Sequence, residues 1–311
     1  MVDLALMAKL FAAVPEAARV ILIGDKDQLA SVEAGNVLGD ICGTGSRDPE
    51  SPIATHIVEL SKAHRFGADS GIQRASALVN AGEEEAALEL LRNGQGTDLA
   101  SAPTPPARAL ETTLRPRALG GFRGYLESSD PSEALARLGD FRLLCATRSG
   151  PFGVENLNLL VERTLAADGL IAPESMHYHG RPVLVRTNDY QLNLFNGDVG
   201  LILRDPTAGG ELRAFFPDGA GAVRRVLPAR LPAHETSFAM TVHKSQGSEF
   251  ERVLLVLPDR DVAILTRELL YTGLTRARSA IEVWANEAVL RAAIARRTQR
   301  SSGLREALWD R

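Results

Sequence analysis

Three short polar clusters in this sequence carry residue types able to handle phosphate. The first is Gly24-Asp25-Lys26-Asp27-Gln28-Leu29, directly after the apolar run Val20-Ile21-Leu22-Ile23. Gln28 presents an uncharged amide with both donor and acceptor, which suits it to sensing a phosphate oxygen or a water; a plain loop glutamine is the simpler alternative. The second is Thr241-Val242-His243-Lys244-Ser245-Gln246-Gly247-Ser248-Glu249-Phe250, in which eight positions carry a hydrogen-bonding group or are glycine. Such density offers several donors to a phosphate backbone, against the alternative of a well-capped helix start. The third is Tyr271-Thr272-Gly273-Leu274-Thr275-Arg276-Ala277-Arg278. Two arginines two apart point in different directions on a helix, so one can enter a site while the other faces solvent. An arginine reaching a γ-phosphate from a neighbouring domain is a known catalytic device; a surface ion pair is the plainer reading.

These clusters need elements to hold them. In open α/β sheets the polar residues just past the C-terminal ends of strands line the ligand crevice. Short continuous apolar runs predict strands buried on both faces: Val20–Ile23, Phe141–Ala146, Val253–Leu257 and Ile281–Ala285. Helical spacing of Leu4, Met7, Ala8, Leu10 and Phe11, closed by Pro15, predicts a first helix. Further helices are predicted within 70–92, over 153–167 and over 267–277. Glu83-Glu84-Glu85 reads as a solvated helix start favoured by the dipole rather than a metal site. Between 181 and 230, short apolar strands alternate with Asn196-Gly197 and Asp218-Gly219, which are hairpin-turn signals. That pattern predicts a small antiparallel β unit, a barrel, inserted in an α/β domain. Residues 93–134 break the composition: Ser101–Arg117 holds four prolines and no sustained period, as a linker or weakly ordered insertion would. A helix and a buried strand opening at residue 1 suggest a chain that starts partway through a repeat.

Composition narrows the class. The chain has 311 residues, 45% hydrophobic and 24% charged, as an ordinary globular protein does. Its 35 basic and 39 acidic residues leave a net charge of −4, which excludes a scaffold that binds nucleic acid by bulk charge but allows a local basic groove. The tail from Arg291 to Arg311 has six arginines against Glu306 and Asp310. Cys42 and Cys145 share no metal-ligand spacing, so neither a zinc site nor a disulfide framework is predicted. No apolar run approaches the roughly 20 residues needed to span a bilayer, and Met1-Val2-Asp3-Leu4 is no signal peptide. The expected localisation is cytoplasmic, without a membrane partner.

Taken in this order, the clusters resemble the C-terminal part of RecD-class superfamily 1 DNA helicases, the alpha subunits of bacterial exodeoxyribonuclease V. Arg19–Gly39, around Gly24-Asp25 and Gln28-Leu29, looks like helicase motif III. His64-Arg65-Phe66-Gly67 with Ser70-Gly71-Ile72 looks like the short arginine motif between III and IV. Leu144-Cys145-Ala146 through Arg148, with Gly150-Pro151-Phe152-Gly153, looks like motif IV. Phe195-Asn196-Gly197-Asp198 resembles the SH3-like insertion of this class, Thr241–Phe250 motif V, and Tyr271–Arg278 motif VI. The resemblance covers nearly the whole chain, least well over the Pro-rich segment.

The resemblance implies two RecA-like P-loop NTPase domains that close and open on ATP and Mg2+, ratcheting single-stranded DNA 5′ to 3′. It implies beta and gamma subunits as partners, and a role in double-strand break repair and recombination. Carried over by position, Gln28 would sense the γ-phosphate, and Arg65 and Arg276 would neutralise charge on the transferring phosphoryl group. Gly247 and Glu249 would line the nucleotide, with Glu249 on the ribose. Thr241, His243, Lys244 and Arg148 would contact DNA. Asn196 would help the β insertion guide the strand, or simply form a turn.

The sequence departs from that pattern in its first half. The dipeptide Gly-Lys does not occur, so there is no P-loop, and no Walker B Asp-Glu pair is present. In the family that acidic pair precedes a segment like Met1–Leu4, which predicts a C-terminal fragment beginning just after motif II. His64 stands where related helicases often have an aromatic. The expected organisation is an incomplete first RecA-like domain over 1–92, the Pro-rich segment over 93–134, and a second RecA-like domain over 135–311 with the β-barrel at about 178–235. The remnant 1–92 is expected to expose apolar surface, and the chain alone to lack ATPase activity. Two alternatives remain at this stage: an ATPase-dead module binding single-stranded DNA or a partner, and another RecD-like or relaxase-type helicase.

Overall fold

A computed structural model describes residues 2–30, 35–43, 48, 51–60, 67, 69–94, 98–219, 222–298 and 303–309. Helix α1 (Leu4–Ala13), capped by Asp3 accepting from the Leu6 amide at 2.7 Å, and the short α2 (Val37–Ile41) open the chain. Helices α3 (Gly71–Ala81) and α4 (Glu84–Asn93), strand β1 (Leu99–Ala102), α5 (Leu110–Leu126), α6 (Pro131–Leu138), β2 (Phe141–Cys145) and α7 (Val154–Ala167) follow. Strands β3 (Arg181–Val185), β4 (Val199–Arg204), β5 (Leu212–Asp218), β6 (Ala222–Val226) and β7 (His234–Thr236) come next. The chain then runs through β8 (Ala239–Thr241), β9 (Phe250–Val256), α8 (Arg267–Leu274), β10 (Ala277–Trp284), α9 (Glu287–Ala295) and α10 (Leu304–Trp309).

The apolar runs of the second half become one parallel sheet, ordered β1-β10-β9-β2-β8. Leu143 sits beside Leu254 and Leu144 beside Leu255, and all four are at most 1% exposed. Helices α3, α4, α8 and α9 bury Ile72, Leu88, Leu269 and Val289 on one face of this sheet. Helices α5, α6 and α7 bury Leu114, Leu138 and Leu157 on the other. The result is a three-layer α/β body. The predicted solvated start of α4 is also an ionic contact: Glu84 and Glu85 both pair with Arg291 on α9.

Four expectations need correction. Val20–Ile23 forms no strand; Ile21 is 74% and Ile23 90% exposed. A parallel strand needs neighbours to bond its amides and carbonyls, and no described strand lies beside this run. The segment 93–134 is not a weakly ordered linker: β1 pairs in parallel with β10, and α5 packs seven residues into the core. Pro116 and three glycines blurred its period, and one of them, Gly121, is required by contact, since a Cβ there would lie 2.1 Å from the Phe141 ring. The predicted inserted β unit is a five-stranded antiparallel sheet ordered β6-β5-β4-β3-β7, with no ladder between β6 and β7 among the described residues. The predicted helix over 267–277 ends at Leu274, so Arg276 lies in a turn and Arg278 on β10 rather than on one helix. Helices α3 and α4, assigned from sequence to the first unit, pack with the sheet of the second. Residues 2–24 do expose apolar side chains, and α1 buries none of its residues. Cys42 and Cys145 form no disulfide among the described residues. No helix among the described residues is long and apolar enough to cross a membrane.

Candidate nucleotide and nucleic-acid interface

The polar run 241–250 begins where β8 ends, at the carboxyl edge of the parallel sheet, and finishes where β9 starts, at its amino edge. It is a chain of turns tied by its own side chains. The buried Ser245 hydroxyl donates to the Val242 carbonyl at 2.8 Å, and the Lys244 amide donates to Thr241 Oγ1 at 3.2 Å. Gly247 has φ +81° with open space around its Cα, so its backbone conformation alone calls for glycine. His243 is half-buried and Lys244 exposed.

The two arginines beyond α8 differ in surroundings. Arg276 is buried, and its guanidinium donates to the carbonyls of Thr272 and Ser248, each at 3.0 Å. Its carbonyl accepts from the Phe250 amide at 2.9 Å. Arg276 therefore ties the polar run to the end of α8. Arg278 is exposed and donates to Glu249 at 3.1 Å, so the carboxylate that the resemblance assigns to a ribose is engaged by an ion pair.

The Gln28 loop docks on the same place. Asp25 Oδ2 accepts from Gln28 Nε2 at 2.8 Å and from the Tyr271 hydroxyl at 2.9 Å. The buried Leu29 donates its amide to Thr272 Oγ1 at 2.8 Å, and its carbonyl accepts from Gln246 Nε2 at 2.6 Å. Burial, reinforced by the Asp25 carboxylate, pushes the Tyr271 phenol upward from its ordinary value, so the phenol keeps its proton and donates. Three runs far apart in sequence thus converge, with Gln28 held by Asp25.

The residues expected to contact nucleic acid divide. Lys244 Nζ donates to Asn196 Oδ1 at 3.0 Å, joining the polar run to the loop between β3 and β4. Arg148, exposed in the loop after β2, pairs with Glu235 of β7 at 3.0 Å and Glu155 of α7 at 3.2 Å. Arg65, with His64 and Phe66, lies outside the described residues. Asp25, Gln246, Tyr271 and Thr272 are the connectors that sequence reasoning missed. Each sits inside a cluster singled out above, but no spacing could pair Asp25 with a tyrosine 246 residues away.

The sequence contains no P-loop to cradle phosphates. Among the described residues no group of three His, Cys, Asp or Glu could hold a metal ion.

Comparison with known proteins places these features in context. The AAA domain family profile matches residues 1–98, and the UvrD-like helicase C-terminal domain profile matches residues 236–281. The RecBCD enzyme subunit RecD of Mycobacterium tuberculosis is 45% identical over 306 residues, covering 98% of this chain and 51% of that protein. The ATP-dependent RecD2 DNA helicase of Deinococcus radiodurans is 32% identical over 276 residues, covering 88% of this chain and 33% of that protein. A solved Pif1 helicase from Bacteroides, in complex with ADP-AlF3 and single-stranded DNA, aligns with a TM-score of 0.42 and 17% identity, covering 86% of this chain and 62% of that one. The chain spans about half the length of the RecD subunits it matches.

Proposed function

We propose, from the premise that this chain belongs to the RecD family, that it supplies part of an ATP-dependent 5′-to-3′ DNA helicase subunit of the exodeoxyribonuclease V type, acting with beta and gamma subunits in double-strand break repair and recombination. One observation carries the reading: the Gln28 loop meets the 241–250 run and the Tyr271–Arg278 run through the Asp25, Leu29, Gln246, Tyr271 and Thr272 contacts. Phosphate sensing and strand contact must be mechanically coupled in a motor, and these hydrogen bonds supply a coupling path.

In this reading Gln28 answers to the γ-phosphate and passes its position through Asp25 to α8. Arg276 and Arg65 face the transferring charge, and Gly247 and Glu249 border the nucleotide. Thr241, His243, Lys244 and Arg148 follow the DNA backbone. The five-stranded sheet, read as the SH3-like insertion, brings Asn196 to the strand. We assign no step of ATP hydrolysis to this chain alone: its sequence carries no P-loop, and no group of three His, Cys, Asp or Glu among the described residues could hold a metal ion.

Two measurements on the pure 311-residue chain test this. Oligo-dT binding, followed by fluorescence anisotropy across a salt series, should weaken with a log–log slope of about −0.7 per phosphate neutralised. ATP turnover, with and without DNA, should stay at background. An absence of binding at low salt would sink the DNA role, and DNA-stimulated turnover would sink the inactivity.

A further inference from the structure

Beyond residue 60, Tyr190 is the most exposed large apolar side chain among the described residues, at 78%, and Phe195 stands beside it at 40%. Their rings meet edge to face, with centroids 6.0 Å apart and planes at 76°. Both belong to the loop between β3 and β4. Aromatic side chains left in water forfeit the stabilisation that burial brings, so a loop that displays two calls for a reason.

The loop is held in shape. Asp189 and Leu194 exchange backbone hydrogen bonds at 2.7 and 2.9 Å, making a bridge one residue before each ring. Asp189 Oδ1 accepts from the amides of Gln191 and Leu192 at 3.0 and 2.9 Å. The Phe195 amide donates to Asp198 Oδ2, and the Asn196 amide to Asn188 Oδ1, each at 2.8 Å. Leu194 is fully buried in the core of the antiparallel sheet and anchors the tip. The two rings are therefore presented by a fixed frame.

Charge of the right sign is adjacent. Asn196, next to Phe195, accepts from Lys244 Nζ at 3.0 Å. A neutral amide oxygen leaves the ammonium charge in place, so a cation stands next to the aromatic pair.

We propose that Tyr190 and Phe195 form a base-stacking platform for single-stranded DNA, with Lys244 taking a neighbouring phosphate. The proposal rests on the DNA-binding reading above and extends it to a site for the bases. Because the ring planes are nearly perpendicular, one base cannot lie flat on both, and each ring takes its own. Stacking accepts any base, so the platform grips without reading sequence. Paired bases hide their faces in the duplex, so duplex DNA should gain nothing from the rings.

The test uses the 311-residue chain and fluorescein-labelled oligo-dT. Tyr190→Leu combined with Phe195→Leu should weaken binding at least about fivefold while leaving the salt slope unchanged. Tyr190→Phe keeps a ring and should bind as wild type does. Lys244→Ala should flatten the salt slope by about 0.7, the share of one phosphate. An abasic strand should bind wild type and the double Leu variant equally. Matching thermal unfolding curves establish that the variants fold. Wild-type affinity for oligo-dT in the double Leu variant would overturn the platform alone. Failure of the wild-type chain to bind single strands at all would overturn the DNA-binding reading with it.

Discussion

Val20-Ile21-Leu22-Ile23 and Val253-Leu254-Leu255-Val256 are both runs of four branched aliphatic residues, and they end in opposite environments. The second run is a central strand, with β10 on one side and β2 on the other, and none of its four residues is more than 2% exposed. The first is extended chain, open enough that Ile23 is 90% exposed. Burying a branched aliphatic side chain fully is worth roughly 1.5–3 kcal/mol, so the two runs differ greatly in what they contribute. An apolar run marks a candidate for burial; its neighbours decide whether burial occurs. The N-terminal segment is instead tied to the body at Leu29 and to α10 at two further points. Leu29 docks under α8, Trp309 of α10 donates its indole N–H to the Asp40 carbonyl at 2.8 Å, and Ser51 Oγ donates to the Leu308 carbonyl at 3.0 Å.

The largest effect should come from the core strand. Leu254→Ala should cost about 2–5 kcal/mol in urea unfolding followed by tryptophan fluorescence, whereas Ile23→Ala should stay within about 0.5 kcal/mol. Equal costs at the two sites would mean that the first run is buried in solution.

A smaller effect probes the tie between the regions. Tyr271→Phe removes the hydroxyl that donates to Asp25 and should release about 1 kcal/mol, read as roughly fivefold faster hydrogen exchange at the Leu29 amide. Amides of β2 and β9 should keep their protection. Unchanged exchange at Leu29 would show that Asp25 and Tyr271 do not hold the loop.

The smallest effect lies within the ordered body, beside the antiparallel sheet. His177 stacks on His234 with ring centroids 5.8 Å apart. Burial first, then the charges of His234 and Arg181, hold its pKa below the ordinary 6.5. A histidine with a depressed folded-state pKa contributes stability that is complete above the unfolded value and lost as pH falls through the folded one. Stability should therefore decline on acidification below about pH 6.5. His177→Asn should make that decline shallower without abolishing it, since burial and Arg204 lower the pKa of His179 as well. An identical pH profile in the variant would exclude His177 as a source.

Much of the ordered body was legible. Strands β2, β9 and β10 stood out as continuous apolar runs, and α7 and the pair α3–α4 by their spacing. Helix α5 was not, because its burial comes from packing between layers rather than from an amphipathic pattern, and Gly121 serves the Phe141 ring. The candidate site was legible as three clusters but not as one place. The sequence showed that Gln28, Lys244 and Arg276 are suited to phosphate. It could not show that Arg276 turns inward to two carbonyls, or that Lys244 reaches Asn196.

By itself, then, the sequence determined the residue chemistry, the local periods and the resemblance to a helicase, because these depend on neighbours a few positions apart. Only the tertiary structure decided which apolar run became a strand, that the Pro-rich segment is core, and that Asp25 joins Gln28 to Tyr271. Those outcomes depend on partners supplied from far along the chain, and a hydrogen bond or a buried face exists only when both halves are brought into contact.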